Sequence, residues 1–118
     1  MGAFGSGTAS ISGGTWSMIQ ELFVGYSGTG TLDVTAGSIS SVNATIGTLA
    51  GDRGDVTITT GGIWNSSGQL VVGGAGTGVL TISNGGEVYV TGTLSKGGSG
   101  TINLNSGGRL SIGKIGRA

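Results

Sequence analysis

Glycine recurs at fixed spacing, and this recurrence decides what the chain can fold into. The pairs Gly13-Gly14, Gly61-Gly62, Gly85-Gly86 and Gly107-Gly108, with Ala36-Gly37 between the first two, put a glycine at positions 14, 37, 62, 86 and 108. The intervals are 23, 25, 24 and 22 residues. A period near 24 marks a repeat architecture in which one structural unit is stacked on copies of itself.

Apolar columns keep step with the glycines. Ahead of each stand Ile11, Val34, Ile58, Ile82 and Leu104, and two residues earlier Ala9, Leu32, Val56, Leu80 and Ile102. Two residues after each glycine come Trp16, Ile39, Trp64, Val88 and Leu110. A fourth column, Val24, Ile46, Val72 and Leu94, closes the coil. Within a coil the apolar residues alternate, as in Leu32 and Val34, Leu70 and Val72, Val88 and Val90. Period two is strand patterning, and the helical i, i+3, i+4, i+7 stripe is absent.

These features predict an all-β fold, a parallel β-solenoid (β-helix) of about five coils with essentially no α-helix. Coils spaced by one interstrand distance would build a rod roughly 20 to 25 Å long. The lack of proline fits strands that donate backbone hydrogen bonds upward and downward. The 29 glycines fit corners that need positive φ. A sandwich of hairpins would explain the alternation and the favourable Asn84-Gly85 turn, but not four columns in register. The expected organisation is a Gly-rich lead-in over 1–8, the solenoid over 9–113 and a basic tail over 114–118. In this register Val72 points inward, and Glu87 and Arg109 lie one above the other.

Composition narrows the chemistry. The chain has no histidine and no cysteine, so imidazole or thiolate metal ligands, the usual nucleophilic dyads and disulfides are excluded. No cofactor and no metal site is expected. Five acids balance five bases, which removes the electrostatic case for nucleic acid. No apolar run approaches the length of a membrane span, and Met1-Gly2-Ala3-Phe4-Gly5 lacks the features of a secretory signal. The acids Glu21, Asp33, Asp52, Asp55 and Glu87 fall at unrelated coil positions apart from Asp52 and Asp55. They do not form the clustered carboxylates of a polysaccharide-cleaving β-helix, so no enzymatic activity is expected.

Several short motifs have ordinary structural readings. Gly108-Arg109-Leu110-Ser111-Ile112-Gly113-Lys114 is similar to a phosphate-binding loop until Ile115, where Ser or Thr is required. Gly73–Gly78 lacks the aspartate of a calcium-binding nonapeptide. Asp52 and Asp55 on one corner would make at best a weak hydrated cation site. Trp16 and Trp64 share a column with Ile39, Val88 and Leu110, which assigns them to packing rather than sugar stacking. Asn43-Ala44-Thr45 and Asn65-Ser66-Ser67 match the glycosylation pattern, which matters only in a eukaryotic secretory route. The candidate interaction residues are Arg53-Gly54-Asp55, expected in an exposed corner, and the bases Lys96, Arg109, Lys114 and Arg117. Residues 1–95 carry net −4 and residues 96–118 net +4, so head-to-tail contact would bring opposite charges together.

The match improves at 48 residues, where Gly14, Trp16, Leu22, Val24, Gly25, Gly30, Leu32 and Val34 superpose on Gly62, Trp64, Leu70, Val72, Gly73, Gly78, Leu80 and Ile82. This double unit resembles the repeat of bacterial autotransporter passengers and PEP-CTERM-associated surface proteins, over most of residues 9–113. The resemblance implies an exported, non-enzymatic β-helical module, extracellular or on the cell surface, used for display, adhesion or assembly. The chain departs from that family in having two double units and no translocator barrel or anchor. An alternative is a small phage virion protein, a capsid-decorating (cement) or fibre subunit, and a distant third is a carbohydrate-binding β-helix. The partners expected are proteins or further copies of the chain, met through the solenoid ends.

Overall fold

A computed structural model describes residues 5–17, 21–25, 28–97 and 99–115. Among these every regular element is a strand. The first coil holds β1 (Gly5–Ile11), β2 (Thr15–Ser17) and β3 (Glu21–Val24). The second holds β4 (Gly28–Thr35), β5 (Ser38–Ser41) and β6 (Asn43–Ile46). β7 (Arg53–Thr59), β8 (Ile63–Ser66) and β9 (Gln69–Val72) form the third. β10 (Thr77–Ile82) and the long β11 (Glu87–Lys96) make the fourth, followed by β12 (Gly100–Leu104) and β13 (Arg109–Ile115).

Parallel pairing stacks the coils. One face runs β1-β4-β7-β10-β12. A second runs β2-β5-β8 into the first half of β11, and a third runs β3-β6-β9 into its second half, so β11 joins two faces of a three-sided solenoid. The chain makes about four turns; the expected fifth coil is the rung β12 and β13, which pairs on one side only. Pairing extends beyond the expected 9–113 at both ends, from Gly5 to Ile115.

The columns read from the sequence are the rungs of the first two faces. Ile11, Val34, Ile58, Ile82 and Leu104 are consecutive register partners, as are Ala9, Leu32, Val56, Leu80 and Ile102. Trp16, Ile39, Trp64, Val88 and Leu110 stack likewise on the second face. Val72 is 0% exposed, as the alternation requires. On the third face the expected fourth column is corrected. Leu94 pairs with Leu70 and belongs above Leu22 and Ala44, while Val72 is followed by the exposed Lys96. Counted forward from Gly14, Gly62 and Gly86, the residue eight on is Leu22, Leu70 or Leu94 and the residue ten on is Val24, Val72 or Lys96, in agreement with the pairing. The expected column continues with an apolar residue, Leu94, where the count places Lys96.

The glycine pairs also divide their tasks. Gly61 has φ +78° with open space around it, so it supplies the left-handed turn. Gly62 has no such φ, yet a Cβ there would stand 2.6 Å from the Val34 carbonyl oxygen of the coil below. In Gly37, Gly62, Gly86 and Gly108 the second glycine is thus required by close stacking, not by positive φ, whereas Gly14 of the first coil carries φ +77° in open space. Its carbonyl continues the ladder: Ser38 N donates to Gly14 O (3.0 Å), Ile63 N to Gly37 O (2.9 Å), Glu87 N to Gly62 O (2.9 Å) and Arg109 N to Gly86 O (3.0 Å). Corners and strands are therefore bonded alike along the axis.

Polar groups enter the core on the second face. Trp64 is fully buried, and its Nε1 donates to Ser41 Oγ at 3.1 Å in the coil below. Ser66, in the column above Ser41, donates its hydroxyl to Val42 O at 3.1 Å. The second face thus accepts an indole and two hydroxyls inside because each finds a partner on the neighbouring coil.

Candidate functional site

Arg53-Gly54-Asp55 lies at the start of β7, not in an exposed corner as the sequence suggests. Strand geometry sends Arg53 and Asp55 to the same outer face and Gly54 inward. Arg53 Nε meets Asp55 Oδ2 at 3.0 Å and Nη2 meets Oδ1 at 3.1 Å, a two-pronged ion pair. Gly54 is buried, and a Cβ on it would overlap the Val24 carbonyl. The tripeptide is therefore extended, with its two charges turned to each other and its glycine serving the coil stack.

Asp52 parts from Asp55. It is buried in the corner that leads into β7, where Oδ2 accepts from Leu49 N and Oδ1 from Gly28 N of the coil below, both at 2.9 Å. A carboxylate binding two backbone amides closes the longest corner and ties it to its neighbour. The two acids are thus engaged separately, and the sequence spacing that suggested a shared cation corner does not bring them to one site. No group of three or more acidic residues suited to a metal occurs among the described residues.

Glu87 and Arg109 are register partners in β11 and β13, so they do lie one above the other. Glu87 accepts a hydrogen bond from Tyr89 two residues along its own strand. Lys96 ends β11, exposed, and Lys114 is the partner of Thr93 in β13. Arg117 lies outside the described residues. The bases of the last two rungs are spread over two faces: Lys96 and Lys114 on the third, Arg109 where the second begins. The segment that is similar to a phosphate-binding loop is strand from Arg109 onward, and Gly73–Gly76 is the corner between β9 and β10.

The outer surface of the first face is mostly polar, its threonines interspersed with Asp33, Asp55, Asn103 and the half-buried Val79. Thr31 and Asp55 stack in one column, and Asp33, Thr57, Thr81 and Asn103 in the next. The second and third faces carry the partly exposed Phe23, Ile63, Val71 and Tyr89. No pocket occurs among the described residues, so what the molecule offers a partner is these faces and its ends.

At the ends, expected as the surfaces that meet partners, the core columns lose their cover. Leu104 continues the column of Val34, Ile58 and Ile82, all 0% exposed, yet it is itself 53% exposed. Asn103 and Asn105 beside it are exposed as well. At the opposite end Ala9, Ile11 and Trp16 are half-buried. The position of Leu104 at the last rung of its column was the available signal: a core column must stop somewhere.

Comparison with family models, curated proteins and solved structures finds no match to this chain.

Proposed function

We propose that the chain is a non-catalytic structural module, a rigid β-solenoid of the bacterial autotransporter-passenger type that serves display, adhesion or assembly at the cell surface. The observation that carries this reading is the register itself. Rungs of three faces repeat with the same inward columns, and variation in coil length falls in the corners and in one register shift between β11 and β13, from Val90 to Thr93. Such a frame holds its outer surfaces flat and fixed, which suits presentation to large partners. The acids support the non-catalytic part: Asp52 is bound to backbone amides, Asp55 to Arg53, and Glu87 to Tyr89.

The test is antibody labelling of intact host cells against lysed cells and purified virions. Labelling of intact cells, lost after brief surface proteolysis, is the expected result. Signal confined to virions would replace this reading with a capsid-decorating or fibre subunit. Signal only after lysis would overturn both.

A further inference from the structure

We propose that copies of this chain stack head to tail, the last rung of one (β12 and β13) continuing as parallel sheet into the first rung of the next (β1, β2 and β3). The inference rests on the structural-module reading and names its partner.

Three features converge on a second copy as the occupant of the end. The first is the uncovered core. Ile102, Leu104 and Leu110 cap columns that are buried throughout the middle coils, and Ala9, Ile11 and Trp16 begin the same columns at the other end. Continued register would seat Leu104 on the next copy's Ile11, Ile102 on its Ala9 and Leu110 on its Trp16. Each large residue at one end meets an apolar residue of the same column, and the half-exposed Leu104 is covered as Ile82 is.

The second is the backbone. Among the described residues β1 has its partner β4 on one side and β12 has β10 on one side, so each presents a row of amide and carbonyl groups at its free edge. Parallel edges of the same direction, five residues in β12 against seven in β1, are completed by a further parallel strand, which the next copy supplies on all three faces together.

The third is charge in register. Glu21 pairs with Asn43, whose side-chain oxygen accepts from Gln69 N; Gln69 pairs with Thr93, and Thr93 with Lys114. Glu21 and Lys114 are therefore the two ends of one column on the third face. Stacking in register brings Lys114 of one copy to one interstrand spacing, about 4.8 Å, from the next copy's Glu21. A one-residue slip would both separate this pair and turn the apolar columns outward, so charge and core select the same alignment. The contact is heterologous and does not close on itself, so it builds a filament. A single chain measures 32 × 28 × 28 Å, a block about as tall as it is wide, and elongation comes from stacking.

The experiment is sedimentation velocity of the full chain over a wide concentration range, with folding checked by far-ultraviolet circular dichroism. The parent should shift to larger species as concentration rises. Glu21→Lys or Lys114→Glu alone should raise the concentration needed by about tenfold, and the two together should restore it. Leu104→Asp, at an exposed position in the monomer, should leave the fold intact and abolish association. A folded parent that stays monomeric at every concentration overturns the proposal, as does association that persists in Leu104→Asp. Single reversals without effect, or a double reversal without rescue, overturn the register. A monomeric result leaves the surface-module reading standing, since cell labelling decides that separately.

Discussion

The middle coils and the last rung are built from the same columns and differ in what covers them. Val34, Ile58 and Ile82 are sealed between coils above and below, whereas Leu104 has a neighbour on one side only and stands half in water. The same contrast appears at the corners. Gly86 is pressed against the Ile58 carbonyl of the coil below, but Gly14, in the first coil, has open space where a Cβ would go. A residue's worth in this fold therefore depends less on its type than on whether a coil lies on each side of it, as in other one-dimensional stacks.

Seven substitutions sharpen or break that comparison. Val72→Asp buries an unpaired carboxylate and should destabilise the protein by about 3 to 5 kcal/mol in a denaturant titration. Leu104→Asp under the same conditions, at concentrations too low for association, should stay within about 1 kcal/mol of the parent. Equal losses at both positions would show that the ends are not separate from the core.

Gly86→Ala forces a methyl into the Ile58 carbonyl and should cost about 2 to 3 kcal/mol. Gly14→Ala, with φ +77° but no obstructing atom, should cost about 1 kcal/mol through backbone strain alone. Urea midpoints at constant slope measure the difference, and its disappearance would mean that φ, not stacking, makes glycine necessary there.

Ser41→Ala removes the acceptor of the Trp64 indole and leaves a buried N–H unpaired, for a loss of about 1 to 2 kcal/mol. Thermal unfolding should register this as a lowered midpoint, while Ser40→Ala, on the outer side of the same strand, should leave it unchanged.

The smallest effect has the opposite sign. Thr60 holds φ +52° at an exposed corner, an unfavourable conformation for a β-branched residue, and Asn84 takes φ +49° at the equivalent corner one coil on. Thr60→Asn should stabilise by roughly 0.5 to 1 kcal/mol. A lower unfolding midpoint would show that the threonine is held by contacts that outweigh its strain.

Glycine period and apolar alternation were enough to determine the parallel solenoid, the columns of the first two faces, the inward side of Val72 and the stacking of Glu87 on Arg109. Those features follow from strand geometry: side chains alternate, and identical rungs bury identical positions. Tertiary structure alone decided the rest. It put Lys96, not Leu94, in line with Val72, because hydrogen bonds align strands whatever side chain stands at the position. It moved Arg53-Gly54-Asp55 from a corner into β7, since the longer corner before it absorbed the extra residues. It also turned Asp52 inward, because Leu49 N and Gly28 N converge there from two coils, and left Leu104 uncovered, because no further coil lies above it among the described residues. Each depends on what lies one coil away, about 24 residues along the chain, where local pattern carries no information.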